Sequence, residues 1–181
     1  DWVARNISLG ARRLRVVVDG GNGVGGPTAM ALYRRLGIDA EGLFIEPDGR
    51  FPNHHPDPTV PKNLEALIRT VRERGADFGI GFDGDADRIG VVDEQGEIIW
   101  GDRLLIVLAR AVLGEQPGAA IVGEEKCSQT LYDDIAARGG KPIMWKTGHS
   151  LIKSKMRESQ AALAGEMSGH IFFAHRYFGF D

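Results

Sequence analysis

The chain has 181 residues, of which 43% are hydrophobic and 26% are charged, so it can form one large or two small globular domains. Its net charge of −3 gives no general attraction for nucleic acid or anionic lipid, and no apolar run approaches the roughly 20 residues that a membrane-spanning helix needs. The single cysteine, Cys127, and the lack of a signal peptide suit a cytoplasmic protein with no nucleic-acid and no membrane partner.

The first half of the chain alternates between short apolar runs and segments with helical spacing. Strands are predicted at 14–18, 43–45, 78–82, 89–92 and 98–100, and helices at 28–36 and 64–71. A glycine-rich turn at 20–26 separates the first strand from the first helix. Between 46 and 61, five of the eight prolines exclude regular structure.

After a break at 116–118 the alternation restarts. Strands are predicted at 120–122, 142–145, 161–164 and 171–173, and helices around 131–135 and 152–156. Before the break, Asp102 is placed to cap a helix whose apolar face is predicted to consist of Leu104, Leu108, Ala111 and Val112. The alternation predicts two α/β units with a boundary near 97–102.

An acidic loop between two predicted strands gives the strongest functional signal. Asp83, Asp85 and Asp87 stand at alternate positions and are separated by small residues. Carboxylates this close repel one another unless a cation or an arginine relieves them, and Mg²⁺ prefers such oxygen ligands. Flanking strands place the loop at the carboxyl end of a sheet, where α/β proteins bind ligands. The loop is therefore predicted to bind a metal.

Two other interpretations of this loop stay open. It can be a solvated acidic turn, or a Ca²⁺ loop in which Glu94 occupies the twelfth position. Such a Ca²⁺ loop requires a glycine where this chain has Arg88, and it lies between helices rather than strands.

The turn Gly21-Asn22-Gly23-Val24-Gly25-Gly26 supports a different class of enzyme. It satisfies the G-x-G-x-x-G pattern between a strand and a helix, and Glu41 and Glu46 lie near the distance expected for a ribose contact. The alternative function is therefore an NAD-dependent oxidoreductase. The pattern is weak evidence, because a tight passage from strand to helix produces similar turns.

Several motifs together resemble the α-D-phosphohexomutases, the phosphomannomutase/phosphoglucomutase group. Asp83-Gly84-Asp85-Ala86-Asp87-Arg88 is similar to the family's metal-binding motif, and Gly165-Glu166-Met167-Ser168-Gly169-His170 to its sugar-binding loop. Further matching segments, in the family's order, are 16–23, 51–58, 125–128 and 146–150. The resemblance covers nearly the whole chain.

This resemblance implies domains 2 and 3 of a four-domain enzyme. Residues 1–100 would be domain 2 and residues 101–181 domain 3, truncated at its C-terminus. Both would be three-layer α/β units with mixed, mostly parallel sheets. The missing partners would be domain 1, which carries the phosphorylated serine, and domain 4, which binds the non-reacting phosphate.

The resemblance also implies roles for individual residues. Asp83, Asp85 and Asp87 would bind Mg²⁺, together with the phosphoserine. The implied catalytic residues are Arg88, His149 and His170, and the implied substrate-binding residues are Lys126, Thr147, Gly148, Glu166 and Ser168. Structural alternatives stand beside several of these roles: a salt bridge to the aspartates for Arg88, a capping or turn role for Glu166 and Ser168, structural use of the histidines, and solvation for Lys126.

The implied reaction is the interconversion of hexose 1-phosphate and hexose 6-phosphate through a hexose 1,6-bisphosphate. Because the phosphoserine is missing, we expect this chain alone to bind metal and sugar phosphate without turnover.

Overall fold

Two mixed sheets carry the fold of residues 2–174, which are the residues that this computed structural model describes. They belong to two units, the first ending at Ile99 and the second beginning at Trp100. The end of the predicted second domain, 175–181, lies outside the described residues.

The first unit contains a five-stranded sheet with the order β2-β1-β3-β4-β5. Its elements are α1 (Trp2–Asn6), β1 (Arg15–Asp19), α2 (Gly25–Leu36), β2 (Asp39–Leu43), a 3₁₀ helix (Pro61–Leu64), α3 (Glu65–Arg74), β3 (Phe78–Phe82), β4 (Ile89–Asp93) and β5 (Ile98–Ile99). β1 pairs in parallel with β2 and β3, whereas the pairs of β4 with β3 and β5 are antiparallel.

The valines of β1 explain the three layers of this unit. Alternate side chains of a strand point to opposite faces. Val17 packs with Leu67 of α3, whereas Val16 and Val18 pack in a separate cluster with Ala29 of α2. Both faces of β1 are therefore covered by helices, as expected for a parallel strand in an α/β protein.

The second unit contains a four-stranded sheet with the order β7-β6-β8-β9. Its elements are α4 (Gly101–Glu115), β6 (Ala120–Glu124), α5 (Gln129–Ala137), β7 (Lys141–Trp145), α6 (His149–Ser159), β8 (Leu163–Gly165) and β9 (Ile171–Phe173). Among residues 2–174, no helix combines the length and the apolar character needed to cross a membrane.

Helices also cover both faces of the second sheet. Val122 of β6 packs with Ile152 of α6. On the opposite face, Gly123 lies against Leu131 of α5. Of the seven strand pairs in the described part of the chain, four are parallel. The predicted α/β class with mixed, mostly parallel sheets is confirmed.

Two predicted details were wrong. The second strand is Asp39–Leu43 and not 43–45, because Phe44 has a φ of 51° and leaves the extended conformation. Within residues 2–174 this strand lies at the sheet edge and pairs only with β1, so it does not need an apolar sequence.

The buried face of α4 was predicted correctly only at Val112. Its buried apolar residues are Leu105, Ile106, Ala109, Val112 and Leu113. The helical period could not identify the buried face of α4, because all five residues of 104–108 are apolar. Asp102 is the second residue of α4 and not its N-cap, but its Oδ1 accepts a hydrogen bond from the first-turn backbone N–H of Arg103 (2.8 Å). The side chain is buried, and its Oδ2 accepts a second hydrogen bond from the backbone N–H of Ser128 (3.0 Å).

Candidate functional site

The acidic loop connects the antiparallel strands β3 and β4 and brings its three aspartates together. One carboxylate oxygen from each of Asp83, Asp85 and Asp87 lies within 4.8 Å of the other two. Opposite ligands of an octahedral Mg²⁺ are about 4.2 Å apart, so only a small movement would let all three bind one ion. Asp83 is buried and Asp85 is exposed, so the cluster is open to solvent on one side. Its donor set fits a hard divalent cation.

The glycine-rich turn supports the backbone of this acidic loop. The backbone N–H of Val24 donates to the Gly84 carbonyl oxygen (3.0 Å). A Cβ at Gly23 would lie 2.6 Å from the same oxygen, and a Cβ at Gly25 would lie 2.5 Å from the Cβ of Ala86. These two glycines are needed because the acidic loop approaches closer than a side chain allows.

The remaining glycines of the turn also face protein. A Cβ at Gly21 would lie 2.9 Å from the Cβ of Pro56, and a Cβ at Gly26 would lie 2.8 Å from the Ile45 carbonyl oxygen. Glu41, one proposed ribose contact, instead pairs with Arg74 (2.9 Å). The turn is thus enclosed by other segments of the chain, and the oxidoreductase alternative has no support.

Arg88 forms ion pairs with two aspartates. Its Nε donates to Asp83 Oδ2 (2.8 Å), and a terminal nitrogen lies 3.5 Å from Asp57 Oδ1. Partial burial alone would raise the pKa of Asp57, but hydrogen bonds from Thr59 and the charge of Arg88 lower it below the usual value. Arg88 therefore orients the buried Asp83 carboxylate, and the salt bridge given as its structural alternative is present.

Asp57 was not identified from the sequence. It lies between two prolines in the long loop, and only its distance from Arg88 in the folded chain marks it. In the same loop His54 Nε2 lies 2.9 Å from Oδ2 of buried Asp19, the last residue of β1. Burial raises the pKa of Asp19 despite the nearby His54. These contacts hold the proline-rich loop against the sheet edge that carries the aspartates of the acidic loop.

In the second unit, three loops follow the carboxyl ends of the neighbouring parallel strands β6, β7 and β8. Lys126 follows β6, Thr147 and Gly148 follow β7, and Glu166 and Ser168 follow β8. α/β proteins bind ligands at this edge of a parallel sheet. The fold therefore brings all five predicted substrate-binding residues to one edge of this sheet.

Glu166 connects two of these loops. Its carboxylate accepts hydrogen bonds from the Gly148 backbone N–H (2.9 Å) and from the Ser168 hydroxyl (3.2 Å), and it is only 4% exposed. The backbone also closes a turn, in which the Gly169 N–H donates to the Glu166 carbonyl oxygen (3.1 Å). Glu166 and Ser168 thus have a turn-forming role.

Glu124, the last residue of β6, was missed by the sequence analysis. It is 1% exposed, and its carboxylate accepts bonds from the Thr147 hydroxyl and the Met167 backbone N–H, both at 2.6 Å. The only signal in the sequence was its position at the end of a buried strand. Lys126 is largely exposed, and its Nζ lies 4.0 Å from Glu124 Oε2.

His149 and His170 lie side by side although 21 positions separate them. Their ring centroids are 5.4 Å apart, and the rings are nearly perpendicular. Both rings also contact the fully buried Phe172, which stacks on His170. The fold brings together the two histidines for which the resemblance implies catalytic roles.

Comparisons with known proteins identify the family of both units. The family models for "Phosphoglucomutase/phosphomannomutase, alpha/beta/alpha" domains II and III match residues 3–96 and 100–180. The chain is 56% identical to a phosphomannomutase/phosphoglucomutase of Pseudomonas syringae pv. tomato over 94% of its length, and 51% identical to a phosphoglucomutase of Neisseria gonorrhoeae over 100%. It covers only 37% and 39% of these relatives. The crystal structure of a phosphoglucomutase/phosphomannomutase family protein from Burkholderia thailandensis, 50% identical, superposes with a TM-score of 0.96 over 99% of the chain and 39% of that protein.

Proposed function

Because this chain belongs to the phosphoglucomutase/phosphomannomutase family, we propose that it is the metal- and sugar-binding part of an enzyme that interconverts hexose 1-phosphate and hexose 6-phosphate. The chain spans only 37% of the length of its Pseudomonas syringae relative, which supports further domains in the complete protein. We assign residues 1–100 to domain 2 and residues 101–181 to domain 3. Domains 1 and 4 would supply the phosphoserine and the site for the non-reacting phosphate.

The observation that carries this proposal is the convergence of Asp83, Asp85 and Asp87. We propose that they hold Mg²⁺, which when bound neutralises the charge on the transferred phosphoryl group. Arg88 fixes Asp83 through its Nε and carries a permanent positive charge. Its second terminal nitrogen is the donor that we assign to a phosphoryl oxygen, which makes Arg88 a catalytic residue.

In the second unit we assign sugar recognition to Lys126, Thr147, Gly148, Glu166 and Ser168. The buried Glu166 carboxylate and the half-buried hydroxyls of Thr147 and Ser168 suit sugar hydroxyls, because a sugar hydroxyl left unsatisfied costs about 1–3 kcal/mol. Lys126 is exposed and cationic, and it suits the phosphate group. His149 and His170 are the groups that we assign to proton transfer at the reacting hydroxyl, because the unperturbed pKa of histidine lies near neutrality.

The complete reaction needs a phosphoryl carrier. In the proposed cycle a phosphoserine of domain 1 phosphorylates the sugar, the resulting hexose 1,6-bisphosphate reorients, and its other phosphoryl group returns to the serine. The chain alone would bind ligands and would not turn them over.

NMR titration of the ¹⁵N-labelled chain tests the proposal. In the presence of Mg²⁺, glucose 1-phosphate should shift the amide signals of Lys126, His149 and 166–170. NADH is the control ligand and should leave the signals of 21–26 unchanged. A response to NADH at 21–26, with none to the sugar phosphate, would refute the proposed function.

A further inference from the structure

A buried carboxylate outside the predicted site residues connects all three strand-end loops of the second unit. We propose that Glu124 is a positioning residue. Its carboxylate fixes the loops after β6, β7 and β8 relative to one another, and it orients the Thr147 hydroxyl so that this group can only accept a hydrogen bond from a ligand. The second part of this inference rests on the proposed function, in which these loops bind a hexose phosphate.

The two carboxylate oxygens of Glu124 have different partners. Oε2 accepts from the Thr147 hydroxyl in the loop after β7, and Oε1 accepts from the Met167 backbone N–H in the loop after β8. Both distances are 2.6 Å, and for the hydroxyl donor this lies in the range of a charge-assisted hydrogen bond. The Lys126 ammonium, in the loop after β6, lies 4.0 Å from Oε2.

The depth of Glu124 distinguishes positioning from direct contact with a ligand. At 1% exposure the side chain does not reach solvent. A carboxylate at this depth is costly unless it is hydrogen-bonded, and here both bonds come from the loops that would surround a ligand. A change at Glu124 would therefore reach the ligand through Thr147 and Met167.

The direction of these hydrogen bonds restricts what the loops can recognise. An ionised carboxylate only accepts hydrogen bonds, so the single hydroxyl proton of Thr147 is used by Glu124. The hydroxyl proton of Ser168 is likewise directed to Glu166. Both hydroxyl oxygens can then only accept from a ligand. They match sugar hydroxyls, which can donate, and not ionised phosphate oxygens, which cannot.

The test uses the ¹⁵N-labelled chain with Glu124→Gln and a matched control, Glu125→Gln, whose exposed side chain is the next along the chain. A neutral amide is a weaker acceptor, so in the ligand-free chain Glu124→Gln should move the Met167 amide proton upfield and shift the signals of 146–148. Glu125→Gln should leave the Met167 signal in place. The affinity for glucose 1-phosphate should fall roughly tenfold in Glu124→Gln alone.

Thr147→Val provides a second variant that leaves the buried carboxylate intact. It removes one of the two donors to Glu124, so the Met167 amide proton should move downfield. It should also weaken glucose 1-phosphate binding while the affinity for inorganic phosphate stays unchanged. A Met167 signal that responds to neither variant would overturn the positioning role.

The binding data separate this inference from the proposed function. If the Met167 amide responds but Thr147→Val leaves glucose 1-phosphate affinity unchanged, the positioning role stands and the acceptor role of Thr147 is refuted. If the unmodified chain does not bind glucose 1-phosphate at all, the proposed function loses its support, whereas the ligand-free shifts still decide the role of Glu124.

Discussion

Replacing Gly25 by alanine should push the acidic loop away from the glycine-rich turn. The new Cβ would lie 2.5 Å from the Cβ of Ala86, a distance that no pair of non-bonded carbon atoms tolerates. Overpacking of this kind costs about 1–3 kcal/mol. Gly25 is the first residue of α2, where alanine returns up to about 1 kcal/mol of helix propensity. We therefore expect a net loss of about 1–2 kcal/mol in the free energy of unfolding.

The compensating change Ala86→Gly makes this prediction specific. Ala86 has a φ of 65°, so glycine relieves a backbone cost of about 1–2 kcal/mol. Glycine also gives the unfolded chain more freedom, which costs about 0.4–1 kcal/mol, so Ala86→Gly alone should be neutral or stabilising by up to about 1.6 kcal/mol. In the double variant the two Cβ atoms no longer meet, and at least about 1 kcal/mol of stability should return.

Urea unfolding followed by the amide NMR signals of 15–93 measures these differences in the first unit. Gly49→Ala is the matched control, because a Cβ there meets nothing within 4 Å. Gly25→Ala should also weaken Mg²⁺ binding, and the double variant should restore it. If the double variant is no more stable than Gly25→Ala, the steric argument for the glycine-rich turn fails.

Three further predictions concern the thiol, the core and the reaction. Burial, followed by the nearby Glu124 carboxylate, raises the pKa of Cys127 from 9.0 to about 12. At pH 8 the folded chain should therefore react with a disulfide reagent only after denaturation. Because the thiol loses its proton more readily in the unfolded chain, its full contribution to the free energy of unfolding is present below pH 9. That contribution falls by up to about 1.4 kcal/mol per pH unit as the pH rises towards 12. By urea unfolding, the free energy of unfolding should fall less between pH 8 and pH 10 in Cys127→Ala than in the unmodified chain. An equal fall in both chains would contradict the raised pKa of Cys127. Phe172→Ala should cost about 3–5 kcal/mol by urea unfolding, because the ring is fully buried, whereas half-exposed Met144→Ala should cost far less; similar costs would contradict the packing. Finally, a coupled assay for glucose 6-phosphate should detect no mutase turnover by the pure chain, and turnover would contradict the need for a phosphoserine in another domain.

The sequence predicted best those features that depend on neighbouring residues. The three carboxylates of the acidic loop lie close together because they alternate over five positions between two strands, and this local spacing is enough to specify the arrangement. The strands β1 and β3 were predicted because their apolar residues are buried on both faces of a sheet.

Features that depend on distant partners were missed. β2 is an edge strand with a polar sequence, and pairing with β1 rather than its own pattern makes it a strand. Asp57 and Glu124 acquire their roles only when loops from other strands meet them. His149 and His170 meet because the strands that precede their loops belong to the same sheet, an order that periodicity does not reveal.

Calorimetric titration of the chain with Mg²⁺ tests the central claim most directly. Asp85→Asn removes one of the three convergent carboxylates, and Glu94→Gln is the matched control, because its exposed carboxylate would be a ligand only in a Ca²⁺-type loop. We predict that Asp85→Asn weakens Mg²⁺ binding at least about tenfold and that Glu94→Gln leaves it unchanged. Unchanged affinity in Asp85→Asn, or an equal loss in Glu94→Gln, would contradict the assignment of the acidic loop as the magnesium site.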